Sequence, residues 1–115
     1  MLVSLQNIKS KNDNWFLLSQ LLLEHKNIDV NAECGSVRGY MSHILSSICK
    51  TQCESTFGVE LLLEDSRTDV NIGLNTPLYC ALSNVETKDD YFYQVAKLLL
   101  NHTTIKSILT LGILV

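Results

Sequence analysis

Leu21-Leu22-Leu23-Glu24 recurs as Leu61-Leu62-Leu63-Glu64, 40 residues on, and Asp29-Val30-Asn31 returns at the same offset as Asp69-Val70-Asn71. A third triplet, Leu98-Leu99-Leu100, closed by Asn101, follows 37 residues after the second. Self-similarity at a fixed period is the mark of a chain built from one supersecondary unit, so it is read before any local propensity.

Twenty residues before the first leucine of each triplet stand Met1, Met41 and Leu78. From each of these, apolar or small residues fall at the first, fourth, fifth and eighth positions: Met1, Ser4, Leu5, Ile8; Met41, Ile44, Leu45, Ile48; Leu78, Ala81, Leu82, Val85. Steps of three and four place them on one helical face. Each unit therefore reads as a short helix, a connector and a second helix that carries the leucines. The expected helix pairs are about 1–25, 41–65 and 78–102, with a tail at 103–115, all within one domain covering 1–115.

The clearest helix start is Asn75-Thr76-Pro77-Leu78, where Thr76 can accept from the free first-turn amides and Pro77 stands at the first helical position. Met1 and Met41 have no such devices, so those helices are expected to start less firmly. Between pairs, Asp29-Val30-Asn31 and Asp69-Val70-Asn71 flank one inward-pointing valine with turn formers. The loops after them contain Gly35 and Gly39, or Gly73 and Asn75, and are expected to be projecting turns or short hairpins.

These residues resemble the ankyrin repeat, most clearly in Asp69-Val70-Asn71, Thr76-Pro77-Leu78-Tyr79-Cys80-Ala81-Leu82 and Val95-Ala96-Lys97-Leu98-Leu99-Leu100. The Thr-Pro-Leu element is replaced around Cys34 to Tyr40, and the spacings of 40 and 37 exceed the usual period of about 33. Long connectors such as Val85 to Tyr91, cysteines in the first helices and Asn- and Ile-rich turns are most similar to the divergent ankyrin proteins of poxviruses; intracellular bacteria encode divergent relatives too. The resemblance implies an all-α, ankyrin-type solenoid of about three stacked helix pairs whose turn tips and inner helices present a binding surface. It also implies a host-protein partner. Many poxvirus members carry an F-box-like C-terminal segment, which is not read here; Thr103-Thr104-Ile105 stands where Asp-Val-Asn would return.

By alignment with that family, the partner-binding residues are Glu33, Ser36, Val37, Arg38 and Tyr40 in one turn, Ile72, Leu74 and Asn75 in the next, and Ser42, His43 and Tyr79 on the helices. Arg and aromatic side chains dominate the centres of protein interfaces, which singles out Arg38, Tyr40 and Tyr79.

Composition narrows the alternatives. An apolar fraction of 46% and a single proline describe a chain able to bury a core. Nine basic against twelve acidic residues, a net charge of −3, leave no cationic surplus for neutralising phosphates, so nucleic acid is not the expected partner. No run approaches the ~20 apolar residues of a membrane span, and Met1 to Lys11 has no secretory pattern. Cys34, Cys49, Cys53 and Cys80 are accordingly expected as thiols in a reducing, intracellular setting, most simply the cytoplasm. Asn101-His102-Thr103 fits a glycosylation acceptor but is expected to stay unmodified there.

His43, Cys49 and Cys53 lie within eleven residues, yet no second ligand pair stands at zinc-site spacing. No catalytic residue, metal or cofactor is expected. His25 and His102 end leucine helices, where an imidazole suits the terminal carbonyls, and Glu86-Thr87-Lys88-Asp89-Asp90 reads as a solvated loop. The leading expectation is a non-enzymatic protein–protein interaction module. A remnant of a longer ankyrin protein with little independent function is the second reading, argued from an uncapped apolar tail and the missing first turn; a Cys/His metal site or enzyme is a distant third.

Overall fold

The computed structural model describes residues 1–34, 42–72 and 76–102. In chain order the elements are α1 (Leu2–Gln6), α2 (Asn14–Glu24), β1 (Glu33–Cys34), β2 (Ser42–His43), α3 (Ile44–Lys50), α4 (Phe57–Glu64), α5 (Pro77–Leu82) and α6 (Tyr91–Asn101). The expected turn at 35–41, the loop residues 73–75 and the tail 103–115 lie outside the described residues.

The longer helices are set by their first residue. Asp13 caps α2: its Oδ1 accepts from the Phe16 amide at 2.7 Å while its Oδ2 accepts from Lys9 and Ser10 at 2.6 and 3.1 Å. Asp90 repeats the device for α6, accepting from Tyr93 at 2.7 Å and from Glu86 and Thr87 at 2.8 and 3.0 Å. One carboxylate thus satisfies a helix N-terminus and folds the connector before it. Applying the 40- and 37-residue offsets, the position of Asp13 and Asp90 is occupied in the middle unit by Cys53. A thiol is a poor acceptor. There α4 starts three residues later, after Thr56, with no side-chain cap, and has 8 residues where α2 and α6 have 11. At α5 Thr76 accepts from the Tyr79 amide at 3.3 Å, with Pro77 at the first helical position.

The expectation of an all-α, ankyrin-type solenoid is overturned. Glu33–Cys34 pairs antiparallel with Ser42–His43, Glu33 opposite His43 and Cys34 opposite Ser42. The second short helix therefore begins at Ile44, not at Met41. Its first turn has no side-chain cap; instead the Ile44 amide donates to Ala32 O at 3.2 Å. The sheet thereby supplies an acceptor that the sequence around Met41 lacks, which is the physical reason for strand over helix here. The body is also compact, with a radius of gyration of 13.9 Å and extents of 44 × 33 × 32 Å, where about 13 Å is typical of a globule this long. One apolar cluster runs from Leu5 and Ile8 through Ile44, Leu45, Ile48, Val59 and Leu62 to Val95 and Leu99. The molecule is a small mixed α/β fold: helix-rich, with one two-stranded sheet among the described residues.

Neighbouring helix pairs are joined by recurring contacts. Ile8 O accepts the Ser55 hydroxyl at 2.6 Å, and Ile48 O, 40 residues on, accepts the Tyr91 hydroxyl at 2.8 Å. Each Asp-Val-Asn turn is closed by its aspartate, which accepts from the asparagine amide at 3.0 Å in both, and buries its valine. The two turns are linked, since Asn31 donates to Arg67 O and accepts from the Asp69 amide, both at 2.8 Å. Arg67 in turn donates to His25 O and Leu23 O at the end of α2. The same guanidinium holds the Asp65 carboxyl below its ordinary range.

Candidate protein-binding surface

Of the residues expected to meet a partner, Glu33, Ser42, His43, Ile72 and Tyr79 are among the described ones, and they differ in exposure. Glu33 is exposed on β1, and its carboxylate lies 3.8 Å from His43 Nε2 across the sheet. Ser42 is buried and accepts from the Ser47 hydroxyl at 2.9 Å, so it belongs to the start of α3 rather than to a surface. Ile72 is half-buried, and Tyr79 stands 60% exposed on α5. Ser36, Val37, Arg38, Tyr40, Leu74 and Asn75 lie outside the described residues.

Among the described residues, apolar exposure is concentrated elsewhere. On α2, Trp15, Leu17, Leu18 and Leu21 are all exposed, and Ser19 is the helix's buried residue. The repeat provides the control for this observation. Leu61, which stands 40 residues beyond Leu21 in the same triplet, is 8% exposed, whereas Leu21 is 65% exposed. Leu62 is fully buried and its equivalent Leu22 only partly so. The cause is packing: α4 is covered by α1 and α2, and no described element takes the corresponding place on α2. At the end of the helix this face opens into a groove of ≈ 440 Å³ lined by Leu21, Leu22, Glu24, His25, Asn27 and Ile28. His25 ends α2, and its Nδ1 accepts from the Asn27 amide at 3.2 Å, which ties the imidazole to the turn beside the groove.

The signal for this face is present in the sequence. Trp15, Leu18 and Leu22 step by three and four residues along one side of α2, while Leu17 and Leu21 lie beside them. Read by pattern alone these are core positions. Only packing separates the covered copy of the face from the uncovered one.

The cysteines make a different kind of cluster. All four are thiols. Cys49 is buried, and burial pushes its thiol well above the ordinary value, with Cys80 and Cys53 nearby adding to the shift. Burial likewise raises Cys34, Cys53 and Cys80. Raised thiols are poor nucleophiles and poor metal ligands at neutral pH. Among the described residues no group of three or more His, Cys, Asp or Glu has the geometry to hold a metal ion, and no helix is long and apolar enough to cross a membrane.

No family model, no curated protein and no solved structure matches this chain.

Proposed function

We propose that this protein is a protein-binding module that offers the apolar face of α2, centred on Leu21 and edged by Trp15 and the groove beside His25, to an apolar surface of a partner. The observation that carries this reading is the contrast between Leu21 and Leu61: one sequence motif, buried in the middle of the molecule and open at its side. A contiguous apolar face of this kind is characteristic of binding sites. Its make-up, one tryptophan among leucines with Glu24, His25 and Asn27 at the rim, is that of an interface with an apolar centre and a polar edge. Four cysteines present as thiols suit a reducing compartment, which supports an intracellular setting for the partner.

Trp15 is the chain's one tryptophan and it lies on this face, so its emission reports occupancy directly. Partner binding is expected to shift that emission to shorter wavelength. Immobilised protein should retain a partner from cell extract that Leu21→Glu loses and Tyr79→Ala keeps. Equal retention by the wild type and Leu21→Glu would overturn the assignment of the face.

A further inference from the structure

The uncovered face of α2 has a counterpart at the other side of the molecule. Leu5 and Leu45, equivalent positions 40 residues apart, are 1% and 2% exposed, because the next helix pair covers each. Their third equivalent, Leu82, 37 residues beyond Leu45, is 54% exposed. Beside it Val85, equivalent to Ile8 and Ile48, is only partly buried, and Leu100, equivalent to Leu23, is exposed. The two open surfaces thus correspond to the two sides of the joints within the chain, where equivalent carbonyls, Ile8 O and Ile48 O, accept from Ser55 and from Tyr91, one position out of register with it.

We propose that the α2 face binds a second copy of this chain, head to tail, with the Leu82, Val85 and Leu100 edge of one molecule seated on Trp15, Leu18, Leu21 and Leu22 of the next. This rests on the reading of α2 as a binding face and specifies its occupant. The contact continues an interface already present in the fold. In the internal joint, Gln20, Leu23 and Glu24 of α2 border the same crevice as Leu61, Glu64 and Asp65. Shifted by one unit, the residues brought together are Lys97, Leu100 and Asn101 from one molecule and Leu21, Glu24 and His25 from the next. The internal joint gathers three carboxylates; the joint between molecules sets exposed Lys97 against exposed Glu24. Opposite charges therefore face each other across the contact between molecules, as Arg67 and the end of α2 are tied across the internal one. The two surfaces differ, so the contact is heterologous, and each added molecule leaves one face open at either end.

Sedimentation velocity over a concentration series tests this. The expected result is growth beyond a dimer with rising concentration, accompanied by a shift of Trp15 emission to shorter wavelength. Leu21→Glu and Leu82→Glu should each weaken association by more than about tenfold, because each would place a carboxylate in the apolar joint. Mixed in equal amounts, the two variants should form a one-to-one dimer and nothing larger, since each retains the face the other lacks. As gentler variants, Glu24→Lys and Lys97→Glu should each weaken association, and the double variant should restore it. A wild-type chain that stays monomeric at millimolar concentration overturns the proposal, as does dimerisation of Leu82→Glu alone, which would indicate two α2 faces meeting. If the chain is monomeric yet still retains a partner in a Leu21-dependent way, self-association fails while the binding reading stands; if Leu21→Glu changes neither, both fail.

Discussion

Gly58 lies on α4 where α1 and α3 press against it. A Cβ at this position would fall 2.5 Å from Leu5 O and 2.7 Å from Ile48 Cδ1. In an open helix, alanine in place of glycine stabilises by about 1 kcal/mol. Here the backbone oxygen cannot yield, so Gly58→Ala is expected to destabilise by about 1–3 kcal/mol, read as a lower midpoint in urea unfolding. A rise in the midpoint would show that α1 can move away from α4. The repeat places Leu18 and Val95 at the equivalent positions, so the glycine belongs to one crossing and is not part of the repeated pattern.

The capping aspartates yield a prediction in pH. Asp13 and Asp90 are held below their ordinary value of 3.8, chiefly by the backbone amides of Lys9 and of Glu86 respectively. A carboxyl whose folded-state value is depressed contributes stability that is complete above 3.8 and is lost as pH falls through the lower folded value. Thermal unfolding of the wild type should therefore move to lower temperature on acidification through that range. Asp13→Asn with Asp90→Asn should lower Tm at neutral pH and flatten the acid limb. An unchanged limb would assign acid sensitivity to other carboxylates, such as Asp65.

At the scale of elements, the joints between helix pairs are the points of interest. Tyr91 reaches from the start of α6 to Ile48 O at 2.8 Å from a buried position. Tyr91→Phe removes the hydroxyl and leaves the ring, so a loss of about 1 kcal/mol is expected in denaturant unfolding. Helix α2 has one buried residue, whereas α4 has four; amide exchange should be faster in α2 than in α4, and self-association should slow it.

Much of this level was legible in advance. The leucine triplets mark the second helix of each pair, and Thr76-Pro77 marks the start of α5. The sheet at Glu33–Cys34 and Ser42–His43 was not, because two-residue strands carry no period and the decisive contact, the Ile44 amide on Ala32 O, joins residues twelve positions apart in the sequence. The Asp13 and Asp90 caps were missed for another reason. Their middle equivalent is Cys53, so an alignment seeking a shared residue passes over them; Glu86 to Asp90 is the exposed loop expected of it, with Asp90 also holding the Glu86 and Thr87 amides. The candidate site was legible only as an apolar helical face: the spacing of Trp15, Leu18 and Leu22 suits a core as well as a surface, and exposure depends on which neighbour is present.

For the whole molecule, one continuous core predicts one transition. Far-UV circular dichroism and Trp15 emission should report the same unfolding curve. If the tryptophan changes first, the α1–α2 pair opens as a separate unit, and the Arg67 contacts with Leu23 O and His25 O do not couple it to the rest. The compact mixed fold, in place of the extended array implied by family resemblance, follows from the small number of units: the middle pair packs against both of the others, and their apolar faces merge into one core.

Cys49 sits at the centre of that merged core, sealed from solvent and with its thiol proton held tightly. A thiol in this position cannot be alkylated while the fold is closed. Its labelling rate by a small maleimide, compared with the rate in urea, therefore measures how often the interior opens under native conditions. The chain thus carries a built-in chemical gauge of its own breathing, available without adding any probe residue.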